Sequence, residues 1–291
     1  MSQACDPNPG LLLAAAPPYS KVDPFRDMAA RLSRMGFTGV MMGYDRQWSA
    51  EYLREIRTIF TDHGIRIDEV GAYCNLAHRD PAVRRKNIDD IRYAIETAQV
   101  LGCRNVASVV GSPSASDGGP HWTLDPATYS ADTWNLIRDL LSEIAVFTEG
   151  TSVRFLLEPH LQTCMNSPTS LRKMIDQVGH PNLGVVLDPV NMVTPDLYWR
   201  TADLINECFD LLENRIMLCH AKDLLSDTEV TPLVCFHEVV PGTGVLDYDV
   251  FIGRLLQQED PAPLMVEHLL RDEDCLRAKQ HIDGVLSTKR R

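Results

Sequence analysis

The chain predicts an α/β protein of one domain, a closed (β/α)8 TIM barrel, and three observations carry that prediction. Eight short apolar runs alternate with eight amphipathic stretches along 291 residues. Each run is rich in Val, Ile, Leu or Met and bounded by turn residues, as strands buried on both faces are. No GxGxxG follows the first run, which removes the main reason to prefer an open dinucleotide-binding sheet. The length also suits one such barrel, typically about 250 residues.

The elements follow in order. The first strand is expected at 11–15 (LLLAA) and the first helix at 23–35. Further strands are expected at 38–43 (TGVMMG), 66–73 (RIDEVGAY) and 104–110 (RNVASVV), separated by helices at 49–63 and 81–102. The 81–102 helix is the clearest. Asp80 and Pro81 supply a cap with Pro in the first turn, Ile88, Ile91, Ile95 and Ala98 keep helical spacing, and Gly102 stops it. After a Gly/Ser/Pro-rich loop at 111–128, a helix is expected at 130–149. Strands at 153–157, 183–187, 215–219 and 263–267 then alternate with helices at 168–178, 200–213, 247–257 and 271–286. Gly242 and Gly244 read as a tight turn before Asp247, a good helix cap. The 111–128 loop follows the fourth strand and is expected on the barrel's active face, either as a lid carrying His121 and Trp122 or as a solvated loop.

Composition narrows the partners. Acidic residues outnumber basic ones 40 to 28, a formal net charge of −12. Polyanion binding normally uses a basic face, because counterion release supplies most of the affinity. No nucleic-acid and no membrane partner is therefore expected. No apolar stretch approaches the ~20 residues needed to cross a bilayer. The early LLLAAAPP run has no preceding Lys or Arg and reads as a strand rather than a signal peptide. Eight cysteines without a CxxC pair read as reduced thiols, and the expected localisation is cytoplasmic.

Four residues stand at the ends of strand-like runs: Glu158 in VRFLLEPH, Asp188 in LGVVLDPV, His220 in RIMLCHAKD and Glu267 in PLMVEHL. The C-terminal strand ends of a parallel barrel open on one face, where catalytic groups collect. Taken singly, each residue has a bland reading as a capping carboxylate or a core histidine. As a set, three carboxylates would repel one another without a cation. One divalent ion is expected. An oxygen-rich set with one imidazole suits Mn2+ first, with Mg2+, Co2+ or Zn2+ as alternatives.

The order Glu158, Asp188, His220, Glu267, with HAKD at 220–223, PGTG at 241–244, NLAHRD at 75–80 and AxxLG at 98–102, resembles the xylose-isomerase-like barrels. That superfamily holds sugar isomerases, the tagatose/psicose 3-epimerases and endonuclease IV, and the resemblance spans roughly residues 9–270. It implies a metal-dependent isomerase or epimerase of a keto-sugar, working through a metal-stabilised enediolate. Glu158 and Glu267 would be both ligands and the proton-transferring pair, and Asp188 and His220 ligands only.

Two positions depart from the pattern. Asn191 stands where the epimerases and the endonuclease carry a histidine; it can hydrogen-bond a hydroxyl but cannot exchange protons. His160, in EPH, has the strand parity to join Glu158 in the mouth, or it is a loop histidine contacting solvent. A Glu-x-His of this kind resembles barrels acting on 3-keto-glycosides. That supports the alternative of a lyase cleaving such a glycoside by β-elimination, with His160 as a catalytic residue.

Lys222 shares the inward parity of His220 and is a candidate for holding a substrate oxygen, or else a structural ion pair. Tyr44, Trp48, Tyr73 and Trp122 fall after strands two to four and are candidates for stacking on a sugar ring; plain packing is the alternative. His237 and Glu238 lie within reach of the site, although nothing in their spacing requires contact. The acidic, glycine-free EHLLRDED after the last strand favours a substrate without phosphate. A DNA-repair endonuclease is disfavoured by Asn191, by the VVGS end of strand four and by charge. A non-catalytic sugar-binding barrel is disfavoured by the presence of both glutamates. A homo-oligomer is expected, and a partner subunit completing the site is left open.

Overall fold

The computed structural model describes residues 13–15, 25–113, 123–226 and 234–289, with 13–15 described as backbone only. Its eight parallel strands close into a barrel. They are β1 (Leu13–Ala15), β2 (Gly39–Met42), β3 (Arg66–Gly71), β4 (Asn105–Ser108), β5 (Arg154–Leu157), β6 (Leu183–Leu187), β7 (Ile216–Ala221) and, after a hairpin, β10 (Leu264–Val266). β10 sits between β7 and β1, completing the ring.

The helices between them are α1 (Phe25–Arg34), α2 (Ala50–Asp62), α3 (Pro81–Leu101), α4 (Ala131–Val146), α5 (Pro168–Val178), α6 (Thr201–Leu212), α7 (Tyr248–Leu255) and α8 (Asp272–Lys289). Every expected element is found, with ends shifted by up to three residues. In α3, Asp80 accepts from the Ala82 N–H at 2.8 Å and Gly102 closes the helix in the left-handed conformation, φ 74°. Asp247 caps α7 by accepting from the Val250 N–H.

A two-stranded hairpin was not expected. Lys222 alone separates β7 from β8 (Asp223–Ser226), which pairs antiparallel with β9 (Phe236–Val239) as a hairpin beside the barrel. In sequence, the polar HAKD at 220–223 reads as the end of a strand and the turn after it, so the short DLLS that follows does not stand out as a strand. Asp223 holds the hairpin's return. Its buried carboxylate accepts from the backbone N–H groups of Leu224, Gly242, Gly244 and Leu246, each at 2.9 Å. A Cβ at Gly244 would lie 2.2 Å from Asp223 Oδ1, so the PGTG segment needs glycine there for this close approach.

Two apolar layers make the core. Between strands and helices lies the large shell that includes Phe37, Phe60, Phe155 and Phe251. Inside the barrel sits a smaller cluster of Met41, Ala107, Leu156, Val186, Leu218 and Met265. This inner cluster fixes the parity of the mouth. Strand side chains alternate faces with period two, so the residues two positions beyond Leu156, Val186, Leu218 and Met265 also point inward. Those residues are Glu158, Asp188, His220 and Glu267. Among the described residues, no helix is long and apolar enough to cross a membrane, and the seven described cysteines are free thiols.

Candidate metal centre

One ligand atom from each of Glu158, Asp188, His220 and Glu267 lies within 4.8 Å of all the others. The four side chains are buried, Asp188 and His220 completely. Glu158, Asp188 and Glu267 are each the first residue past β5, β6 and β10, and His220 is the fifth residue of β7. The barrel thus converges the set that the strand ends predict.

Contacts inside the cluster are close but poorly aligned. His220 Nδ1 lies 2.9 Å from Glu267 Oε2 and 3.5 Å from Glu158 Oε1. Asp188 Oδ2, Glu267 Oε2 and His220 Nδ1 are buried without a hydrogen bond of acceptable geometry. Such groups are expensive to bury unless something else satisfies them. Beside the Lys222 ammonium, four ligand atoms this close together fit a divalent ion, three carboxylates and one imidazole being of the type that hard or borderline ions accept once the imidazole has lost its proton.

The electrostatics agree. Burial alone would raise the pKa of Glu158 and of Glu267. The nearby His220 and Lys222 outweigh it, holding Glu158 below and Glu267 well below the usual range. Burial pushes Asp188 up to about 6, with Lys222 pulling against it. Burial opposes charge on His220, but Glu267, Glu158 and Glu69 outweigh it and raise the imidazole well above its ordinary value. The pocket is built for cations.

Lys222 is the resident cation. Its ammonium lies 2.8 Å from Asp188 Oδ2, 3.1 Å from Glu267 Oε2 and 3.7 Å from Glu158 Oε1, and its side chain is 4% exposed. Asn191 follows β6 and donates Nδ2–H to Glu158 Oε1 at 2.7 Å. In place of a proton-exchanging group, this position supplies a fixed amide that orients a cluster glutamate. His160 is half-buried two residues past Glu158. Its backbone N–H donates to the Met165 carbonyl, and burial pushes its imidazole pKa down.

Other expected residues stand further off. Tyr44 pairs with Tyr93 at 6.1 Å between ring centroids, and its hydroxyl is pushed up to about 12 by burial and then by Asp90. Trp48 packs edge-on against Phe25 at 5.6 Å. Both rings take part in packing around α1, α2 and α3. Trp122 and His121 lie outside the described residues.

The structure adds residues that the pattern did not single out. Glu69, inward on β3 and fully buried, faces His220 Nε2 at 3.1 Å and accepts from the Tyr73 hydroxyl at 2.9 Å. Tyr73 fits because Gly71 leaves room: a Cβ there would lie 3.1 Å from the Tyr73 ring. His268, immediately after Glu267, places Nδ1 2.8 Å from Glu238 Oε2 on β9 and Nε2 3.3 Å from Glu267 Oε1. Those two carboxylates raise its pKa to about 10. His268 adopts φ 59°, a left-handed backbone unusual for a residue other than glycine. Glu69 stands beside Arg66 and Asp68 in β3, so nothing marked it as the inward charge; His268 was signalled only by following Glu267, and Glu238 only as a residue after strand seven within reach of the site.

Comparison with known proteins agrees with this architecture. Residues 29–286 match the model of a family described as xylose isomerase-like TIM barrel. Among curated proteins, none matches the sequence. Several solved structures share the fold. A xylose isomerase-like TIM barrel protein from Mycobacterium smegmatis in complex with magnesium superposes with TM-score 0.71 at 17% identity, covering 96% of this chain and 97% of that one. D-psicose 3-epimerase from Clostridium cellulolyticum H10 with D-tagatose gives 0.71 at 16% identity, covering 95% and 99%. The 3-keto-D-glucoside 4-epimerase from E. coli gives 0.70 at 17% identity, covering 96% and 99%.

Proposed function

Since this chain belongs to the xylose isomerase-like TIM barrel family, we propose that it is a divalent-metal-dependent isomerase or epimerase of a keto-sugar. The observation that carries the reading is the buried quartet of Glu158, Asp188, His220 and Glu267. Two solved structures of the same fold, D-psicose 3-epimerase and 3-keto-D-glucoside 4-epimerase, are epimerases by name and support it. The expected ion is Mn2+, with Mg2+, Co2+ and Zn2+ as alternatives. Bound there, it would supply Lewis-acid polarisation of a substrate carbonyl.

The chain's own residues do the rest. Glu158 and Glu267 are both held below the usual carboxylate range and are therefore ionised and ready to accept a proton. They stand after β5 and β10, two strands with β6 and β7 between them. In this reading one takes the proton α to the carbonyl, and the other, itself a carboxylate at rest, passes a proton taken up from solvent to the opposite face of the resulting enediolate. Asn191 fixes Glu158, and His268 fixes Glu267. Lys222, with its ammonium among the same oxygens, is placed to hold a sugar oxygen on which negative charge develops.

A second reading rests on His160. Its position beside Glu158, with a lowered pKa that keeps the imidazole neutral, supports β-elimination from a 3-keto-glycoside. There the enolate expels the aglycone, which needs a proton as it leaves.

One experiment tests both: incubation of the Mn2+-loaded protein with ketohexoses and 3-keto-glycosides in deuterated water. Epimerisation puts solvent deuterium at the carbon that loses its proton. Elimination releases the aglycone. A panel that gives neither would overturn the proposal.

A further inference from the structure

At the end of the barrel opposite the carboxylate quartet, a cavity of about 1020 Å3 opens among the N-terminal ends of β3, β4, β5 and β7. Its lining includes Arg57 of α2, Arg104 just before β4, and Arg154, the first residue of β5. Two of these guanidinium groups are deliberately seated. Asn105, only 3% exposed, accepts from Arg154 Nε through Oδ1 at 3.1 Å, and its Nδ2–H is donated to the Asp68 carbonyl at 2.8 Å. A buried amide is thus committed to aiming a guanidinium. Arg57 rests on the bare backbone of Gly102, where a Cβ would come within 3.0 Å of its Cζ.

None of the three has a carboxylate. Among the described residues, no acidic oxygen lies within 4.0 Å of Arg57, Arg104 or Arg154. The contrast is on the same wall. Arg66 donates Nε–H and Nη2–H to the two oxygens of Asp68 at 3.0 and 2.8 Å, so the nearest carboxylate is already consumed by a paired fork. Glu213, Glu259 and Asp260 also line the cavity, and Asp260 acts on Arg154 only through its field. Burial lowers the pKa of Arg154, and the like charge of Arg104 lowers it further. A role confined to barrel stability would be served better by pairing, as in Arg66 and Asp68. What sets Arg57, Arg104 and Arg154 apart is geometry rather than net charge: Glu213, Glu259 and Asp260 share the cavity, yet none of them is in contact with these guanidinium groups.

We propose that this cavity is a second ligand site, taking a small molecule that carries a phosphate or carboxylate group. Guanidinium forks match both oxyanions in geometry and bind them more strongly than they bind neutral acceptors. Ile67 and Met217 line the same cavity and give an apolar surface for the body of such a molecule. The site is independent of the metal reading, being built from other residues at the other end of the strands.

The test is titration calorimetry on the full chain with inorganic phosphate, citrate and phenyl phosphate at physiological salt. Saturable binding of at least one probe is expected. Phenyl phosphate binding more tightly than inorganic phosphate would place the body on the apolar surface, and citrate alone binding would assign the carboxylate class. Arg57→Gln and Arg104→Gln change exposed side chains. Each should weaken binding about tenfold or more, the usual consequence of losing a charged hydrogen bond, without altering metal content or thermal unfolding. Arg154→Gln should do the same, and if it fails to fold the two exposed variants decide. No saturable binding of any probe, or binding unchanged in the Arg57→Gln/Arg104→Gln double variant, would overturn the proposal. The second outcome would put the anion elsewhere, including at the carboxylate quartet.

Discussion

His220 and Glu69 meet through Nε2 and Oε2 at 3.1 Å, with both side chains fully buried. The contact orients the imidazole. A ring whose Nε2–H is donated to Glu69 keeps its Nδ1 lone pair facing Glu158 and Glu267. The Tyr73 hydroxyl, donating to the other oxygen of Glu69 at 2.9 Å, holds that carboxylate in turn. Partners of this kind set the tautomer of a metal-ligating histidine, and their loss typically weakens metal binding by about 10–100-fold. Glu69→Gln, nearly isosteric, should preserve the fold and weaken Mn2+ by that order in equilibrium dialysis. Unchanged affinity would show that the carboxylate is not needed to orient the ring.

Metal removal should be visible in stability. An ion bound only by the folded state adds about 2.7 kcal/mol when present at 100 times its dissociation constant. Excess chelator should therefore lower Tm, and re-addition of Mn2+ should restore it. In Asp188→Ala and His220→Ala the Mn2+ response should disappear, with metal analysis showing loss of the ion. A full complement of metal in both variants would rule out the quartet.

The barrel and its quartet were readable because both depend on repeating patterns. Buried parallel strands give continuous apolar runs, and a strand's period of two carries Leu156 to Glu158 and Val186 to Asp188 on one face. What was not readable depends on contacts between distant segments. Glu69 is one of three charged residues in β3, and its meaning appears only when β7 brings His220 across the barrel, 151 positions later. The β8–β9 hairpin is built from two four-residue strands, DLLS and FHEV, too short and too mixed in character to announce themselves. His268 takes a left-handed φ without being glycine, so no composition signal marks the turn. Trp48 shows the converse: an aromatic after a strand end packs on Phe25.

Glu158 and Glu267 are expected to divide the proton transfer. Replacing either with Gln keeps a similar shape and removes the base, and turnover should fall by ~10²–10⁴, the usual weight of general acid–base catalysis. Exchange of the substrate α-proton with solvent is the sharper measurement. A Gln variant that exchanges it at the wild-type rate would reduce that glutamate to a ligand.

Lys222 offers a test of opposite sign. Removing one partner from a buried ion pair costs about 3–5 kcal/mol, because the remaining charges lose their counterion. Lys222→Met should therefore destabilise the metal-free protein more than the metal-loaded one. It should also tighten Mn2+ binding, since a cation that repels the ion is gone, while turnover falls. Weaker metal binding in a folded Lys222→Met protein would contradict this placement of its charge.

His160 separates the two enzymatic readings. Burial pushes its pKa down while the neighbouring Glu158 pulls it up, and the net effect is a lowered value. The sign is then fixed: protonation requires a pH below the ordinary ~6.5 of an imidazole, so at neutral pH the ring is uncharged. If the reaction is epimerisation by the two glutamates, His160 only orients a hydroxyl, and His160→Asn should mainly raise the apparent Michaelis constant. If it is elimination, the departing aglycone needs a third proton-transfer group, because Glu158 and Glu267 are held in the quartet. A neutral imidazole can pass a proton relayed from solvent to that group. His160→Asn should then abolish aglycone release while metal content and Tm stay unchanged. Unaltered kinetics on every active substrate would remove His160 from the mechanism and leave the two-glutamate epimerase as the reading to pursue.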